Sequence, residues 1–173
     1  MDVLDILNLA IEREERAQLV YSDAADRSAS NEGKRVFAWL ASEELGHARL
    51  LQQQKTAIEQ TGAWLPEEQW ASSGEVSRPL DRAELPPPSE VVGELAVSDT
   101  ELNILRQAAV AERDAAAFYA DAAEQTADAS GKALLSQLAA VERGHQALLE
   151  EEHEWLNRSK TMFTIHRFPP LPP

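Results

Sequence analysis

The chain contains no cysteine, which excludes disulfides, thiolate metal sites and a cysteine nucleophile. Basic side chains are few: 16 lysines and arginines stand against 30 acids, a formal net charge of -14. A surface this acidic repels phosphate backbones and attracts cations, so no nucleic-acid partner is expected. No stretch approaches the roughly 20 apolar residues of a membrane span, and Met1 to Ala10 has no basic segment ahead of an apolar run, unlike a secretory signal. A soluble, cytoplasmic protein without a membrane partner is the expectation. Glycine is scarce, at 7 of 173 residues.

Alanine, leucine, glutamate and glutamine fill the space that glycine leaves, and these are helix formers. Apolar residues recur at three- and four-residue steps in four long segments, which predicts helices at about 2–28, 31–60, 98–127 and 130–158. Ser98 with Glu101 reads as a capping box for the third. Short polar turns make the first two helices antiparallel neighbours, and likewise the last two. Residues 61–97 hold five of the nine prolines, with room for one short helical turn around Pro66–Trp70. They read as a long crossover that lets the third helix start at either end of a bundle. The fold class expected is all-α, a ferritin-like four-helix bundle over residues 1–160 built of two hairpins joined by that crossover. Residues 161–173 form a proline-rich tail that is not helical.

The two hairpins are copies. A shift of 98 residues aligns them without a gap, placing Glu14, Tyr21, Gly33, Glu44 and His47 on Glu112, Tyr119, Gly131, Glu142 and His145. Each copy carries a Glu-x-x-His motif, Glu44 to His47 and Glu142 to His145, and positions i and i+3 share a helix face. Leu40 and Leu51 lie on that face in one copy, Leu138 and Leu149 in the other, so the motifs point into the core. Unpaired buried carboxylates are very costly, and a metal cation is the natural compensation. Glu14 and Glu112 add one inward acid each, flanked by alanines at seven-residue spacing: Ala10, Ala17 and Ala24, then Ala108, Ala115 and Ala122. One glutamate from each of two helices and a Glu-x-x-His from each of the others is the dimetal carboxylate arrangement of bundle proteins. Mixed oxygen and imidazole donors suit iron or manganese, and zinc also occupies such sites. Without metal, four inward carboxylates should repel one another and their pKa values should rise.

This pattern, Glu14…Tyr21-x-x-Ala24-Ala25 with Glu44-x-x-His47, repeated as Glu112…Tyr119-x-x-Ala122-Ala123 with Glu142-x-x-His145, resembles the rubrerythrin-type members of the ferritin-like superfamily. The resemblance covers roughly residues 5–55 and 103–155. It implies a non-haem di-iron oxidoreductase that reduces hydrogen peroxide or dioxygen, drawing electrons from ferrous iron or an unidentified redox donor. Its ligands would be Glu14, Glu44, His47, Glu112, Glu142 and His145, with Glu44 and Glu142 bridging two iron ions. Iron uptake and storage without turnover, or a structural bundle with a vestigial site, would use the same residues. The chain departs from the pattern in two places. It has no cysteine for a rubredoxin iron domain, and Ala115 stands where the family carries a further glutamate one turn after the third-helix ligand.

Tyr21 and Tyr119 are candidates to hydrogen-bond the ligand carboxylates or pass electrons, or else are core aromatics. Glu12, Glu15 and Glu43 read as surface charges, since their repeat partners are Val110, Arg113 and Val141. Trp39, replaced by Gln137 in the second copy, reads as packing. His153 and His166 read as surface or tail residues. Phe163, Ile165, Phe168 and Leu171 make the tail apolar, and a homodimer or a docked partner is expected to cover it.

Overall fold

A computed structural model describes residues 2–71, Val76 and residues 99–166, with the side chains of Glu32, Asp99 and residues 159–166 left aside. All regular elements among them are helices: α1 (Val3–Arg27), α2 (Asn31–Thr61), the single turn α3 (Glu67–Trp70), α4 (Asp99–Gln125) and α5 (Ala129–His166). The four long helices are the four that the apolar period predicts, and α3 is the short turn foreseen inside the crossover.

Local chemistry sets their ends. The Asp2 carboxylate accepts from the Val3 N–H at 2.7 Å, and Asp5 and Arg27 complement the dipole at the first and last turns of α1. Ser30 caps α2 by accepting from Gly33 N–H at 2.9 Å, and Asp128, its repeat counterpart, caps α5 by accepting from Gly131 N–H at 2.9 Å. Gly62 stops α2 in the left-handed region at φ 75°, which a side chain would resist. The last helix corrects one expectation. It continues to His166, past Thr161, because the first proline of the tail is Pro169 and nothing before it interrupts the backbone ladder. Ser98, Phe168 and Leu171 lie outside the described residues, as do the side chains of Phe163, Ile165 and His166.

Hydrogen bonds at the two poles fix the topology. Near the start of α4, the Glu101 carboxylate accepts from the Ser28 hydroxyl and, at 2.7 Å, from the Ser30 hydroxyl, both in the α1–α2 turn. Glu101 therefore pins α4 to the other hairpin; the capping box expected of it with Ser98 falls outside the described residues. At the opposite pole, the Ser130 hydroxyl at the head of α5 donates to the Leu65 carbonyl at 2.6 Å and accepts from the Trp70 indole at 3.0 Å. Thus α4 begins where α2 begins, and the crossover joins opposite ends of a bundle about 45 Å long. Helix α1 lies beside α4 and α2 beside α5, as two hairpins related by a pseudo-two-fold axis would place them.

The core divides in two. One cluster, at the α2–α3 pole, holds Leu7, Leu50, Leu51, Trp70, Leu134 and Leu138; the other, at the α1–α2 turn, holds Phe37, Leu40, Leu102, Leu105, Leu149 and Leu156. Each fully buried leucine contributes roughly 1.5–3 kcal/mol. Among the described residues ten polar or charged ones are also buried, and six of them are the paired glutamates and histidines of the repeat.

Candidate metal centre

The six side chains converge in mid-bundle, between the two apolar clusters. Glu14 and Glu112 come from α1 and α4, and each Glu-x-x-His motif from α2 or α5. All six are buried, with none more than 3% exposed. The Nδ1 atom of His47 faces Glu142 at 3.3 Å, Glu44 at 3.5 Å and Glu14 at 3.7 Å. The Nδ1 atom of His145 faces Glu44 at 3.3 Å, Glu142 at 3.3 Å and Glu112 at 4.0 Å. The two imidazoles lie nearly parallel, 5.7 Å apart.

These contacts are not hydrogen bonds. The facing nitrogens of both histidines, both oxygens of Glu142 and one of Glu44 are buried with no hydrogen-bond partner. Such atoms are expensive to leave unsatisfied. Donors about 3 Å or slightly more apart suit ligands of one ion, since metal–oxygen and metal–nitrogen bonds run near 2.0–2.2 Å. The donor atoms form two groups within 4.8 Å: Glu14, Glu44, His47 and Glu142, then Glu44, Glu112, Glu142 and His145. Glu44 and Glu142 belong to both. Each group can hold one ion, so the residues present fit a pair of metals sharing two carboxylates.

The tyrosines resolve in favour of the carboxylates, and they do so across the repeat. The Tyr21 hydroxyl donates to Glu112, and the Tyr119 hydroxyl donates to Glu14. Each hairpin thus steadies the terminal glutamate of the other, as outer partners orient metal ligands. Burial, with the facing carboxylates, raises both hydroxyl pKa values, so both remain donors.

Protonation corrects the expectation that all four carboxylates rise. Burial raises Glu14 well above the ordinary value and Glu112 to about 12, helped by repulsion from Glu44 and Glu142. Burial alone would raise Glu44 too, but contact with Glu14 and both histidines outweighs it and brings Glu44 to about 2. Glu142 is likewise lowered, against its burial, by His145, His47 and Glu112. Burial works against charge on the histidines, yet the carboxylates around them raise His145 to about 9 and His47 well above its usual value. In the metal-free centre Glu14, Glu112 and both histidines thus hold protons more tightly than free side chains, and Glu44 and Glu142 less tightly.

Other candidates fall into place less closely. Glu12 and Glu15 are exposed as expected, but Glu43 is half-buried, the helix placing it near the edge of the core where its counterpart Val141 is 2% exposed. His153 is half-buried in a shallow surface cavity of about 260 Å³ with Glu150 and Glu154, away from the centre. Ala115 lines a groove of about 560 Å³ between α1 and α4, whose floor is Glu14, Glu44, Glu112 and Glu142. Trp39 packs on the core at the α1–α2 turn, and its indole also meets the His145 ring edge-on at 5.4 Å, with the planes at 86°. No sequence signal pointed to that contact, because its partner lies on the other hairpin. Among the described residues, no helix is long and apolar enough to cross a membrane.

Comparison with known proteins agrees with this geometry. No curated protein matches the chain. The solved structure of a hypothetical protein from Pyrococcus furiosus superimposes with a TM-score of 0.67 at 25% identity, over 91% of this chain and 92% of that one. The rubrerythrin family profile matches residues 5–153, a span that takes in both Glu-x-x-His motifs, both further glutamates and both tyrosines, and the chain therefore belongs to the rubrerythrin family.

Proposed function

We propose that this protein is a di-iron oxidoreductase that reduces hydrogen peroxide, or more slowly dioxygen, with electrons from ferrous iron or a redox partner. One observation carries the reading: six buried donors in two overlapping groups, with unpartnered atoms facing a common centre. Glu14 and His47 would hold one ion, Glu112 and His145 the other, and Glu44 and Glu142 both. Manganese or zinc would fit the same donors. A pair of ferrous ions supplies, when bound, the two electrons needed to break the O–O bond of peroxide.

The chain's own contribution is placement and exclusion. Glu44 and Glu142 lie between the histidines, so a change in charge on one side is felt on the other. Tyr21 and Tyr119 hold the terminal glutamates by donated hydrogen bonds and limit their swing. The leucine clusters on either side keep bulk water out, and the α1–α4 groove admits a small oxidant to the acid side of the centre. Ala17 and Ala115 bring no further donor to that side, so the ligand set stays at these six through a redox cycle.

The test is anaerobic loading with ferrous iron, metal analysis, then titration with hydrogen peroxide. Two irons per chain and one peroxide consumed per pair is the expected result. One iron or none per chain would overturn the dimetal reading; two irons that ignore peroxide would leave the metals and remove the activity.

A further inference from the structure

Three aromatic side chains touch the cluster: Tyr21 on Glu112, Tyr119 on Glu14 and Trp39 on His145. The tyrosines are at most 2% exposed and end inside the core. Trp39 meets the His145 ring and is only half-buried, so the residue is also accessible from solvent. Among the described residues it is the aromatic that spans from a candidate ligand to solvent. The repeat sharpens the point. Gln137 occupies the corresponding place in the second hairpin, so only the His145 side has this contact.

We propose that Trp39 is the port through which single electrons pass between a donor at the α2 surface and the metal centre beside His145. This rests on the dimetal reading above. An indole can lose one electron without giving up its N–H proton, whereas Tyr21 and Tyr119 would have to release a proton toward a carboxylate they already bond. In turnover, peroxide takes two electrons and two protons and leaves as two waters. Each electron leaves the Trp39 indole for the centre and is replaced by one from an external one-electron reductant, so the indole is unchanged over the cycle. Without a reductant, the ferrous pair spends its two electrons on a first peroxide; with further peroxide, the indole and one water together lose two electrons and two protons, a hydroxyl replacing a ring hydrogen to give hydroxytryptophan, while that peroxide is reduced to two waters.

The contact also gives the missing electron donor a place to act. Trp64 and Trp155 are half-buried like Trp39, but Trp64 lies against Gly131 and Trp155 packs on the apolar cluster at the α1–α2 turn, and Trp70 is buried among leucines at the far pole. Exposure alone would make Trp39, Trp64 and Trp155 equally prone to oxidation. A role as electron port singles out Trp39.

The experiment uses the full chain loaded with ferrous iron, as wild type and as Trp39→Phe, Trp39→Gln and Trp155→Phe. Peroxide is added with and without the one-electron donor tetramethyl-p-phenylenediamine, and the digested protein is read by mass spectrometry. Single-oxygen adducts are expected at Trp39 in large excess over Trp64 and Trp155, and they should fall when the donor is present. Trp39→Phe and Trp39→Gln should keep wild-type iron content and lose about tenfold or more in donor-dependent turnover, while Trp155→Phe loses nothing. Equal adducts at the three half-buried tryptophans, or wild-type turnover in Trp39→Phe at full iron content, would overturn the proposal. So would loss of iron in both Trp39 variants, which would make the indole a packing support for His145. Wild-type protein that binds no iron would sink the dimetal reading itself, a failure that the metal analysis separates from the others.

Discussion

At one pole of the bundle the α1–α2 turn closes over two hydroxyls and a carboxylate, with Ser28 and Ser30 donating to the buried Glu101. At the other, the α4–α5 turn closes under indoles: Trp64 lies against Gly131, and Trp70 donates to Ser130. A Cβ at Gly33 would collide with Ser28 and Glu101, and one at Gly131 with the Trp64 ring, so the same glycine serves opposite chemistries. The walls diverge as well. Phe118 fills the second half of the α1–α4 seam under Arg13, whose guanidinium lies 5.0 Å above the ring. Their repeat counterparts, Val20 and Ala111, are small and border the open groove. The six donors and the two tyrosines that bond them are shared by the two hairpins, and what surrounds them, Trp39 included, is not. Geometry at the centre demands both copies of each donor, whereas a pole needs only some well-packed, satisfied closure.

Ligand substitutions test the shared part and should give the largest effects. Glu44→Ala and Glu142→Ala should each abolish binding of both ions, since each carboxylate belongs to both donor groups. His47→Ala and His145→Ala should each leave about one ion per chain. Metal analysis of the four variants after identical loading checks this, and single-ion loss from a Glu44 variant would break the symmetry.

The poles test the divergent part. Trp70→Ala removes a side chain that is 2% exposed and should cost about 3–5 kcal/mol. Glu101→Ala leaves two hydroxyls without their acceptor and should cost about 1–3 kcal/mol. Denaturant melts of the two variants rank the poles; a larger loss at Glu101 would reverse the ranking.

Proton linkage comes next. Glu14, Glu112, His47 and His145 have raised pKa values and hold their protons to higher pH in the metal-free fold than in the unfolded chain. The unfolded chain sheds the carboxyl protons from about pH 4.5 and the histidine protons from about pH 6.5, so above those values the native state binds more protons. Metal-free stability should therefore fall as pH rises from about 6.5 toward 9, by up to about 1.4 kcal/mol per pH unit for each proton retained. Glu44 and Glu142, whose values are lowered, act the other way: their contribution is complete above about pH 4.5 and fades as pH falls below it. Metal binding displaces protons from the raised groups, so the gap in melting temperature between loaded and metal-free protein should widen from pH 6 to pH 9. A constant gap would show that the protons are not where this charge pattern puts them.

The smallest effect expected is at the tyrosines. Tyr21→Phe and Tyr119→Phe should each weaken metal binding by about 10-fold to 100-fold, and by similar factors, because each steadies one terminal glutamate. Competition titration with a chelator measures both. Strong loss for one and none for the other would mean that the two halves differ at the centre too.

Much of this was legible in the chain. The helices follow from apolar period, and the convergence of six buried donors follows from residues that recur at one offset on inward faces. What stayed hidden depends on the other hairpin. Tyr21 bonding Glu112, Glu101 reaching Ser28, and Trp39 meeting His145 are all contacts between repeats, and no spacing within one helix encodes them. The overrun of α5 to His166 escaped because prolines beyond Phe168 coloured a segment that itself contains none.

The central claim is that two ions sit between the hairpins and share Glu44 and Glu142. The most direct measurement is a crystal structure of the iron-loaded protein with anomalous scattering collected at the iron edge. Two peaks are expected, one beside His47 and Glu14 and one beside His145 and Glu112, each within bonding distance of both shared carboxylates. A single peak, or two that do not share Glu44 and Glu142, would contradict the account.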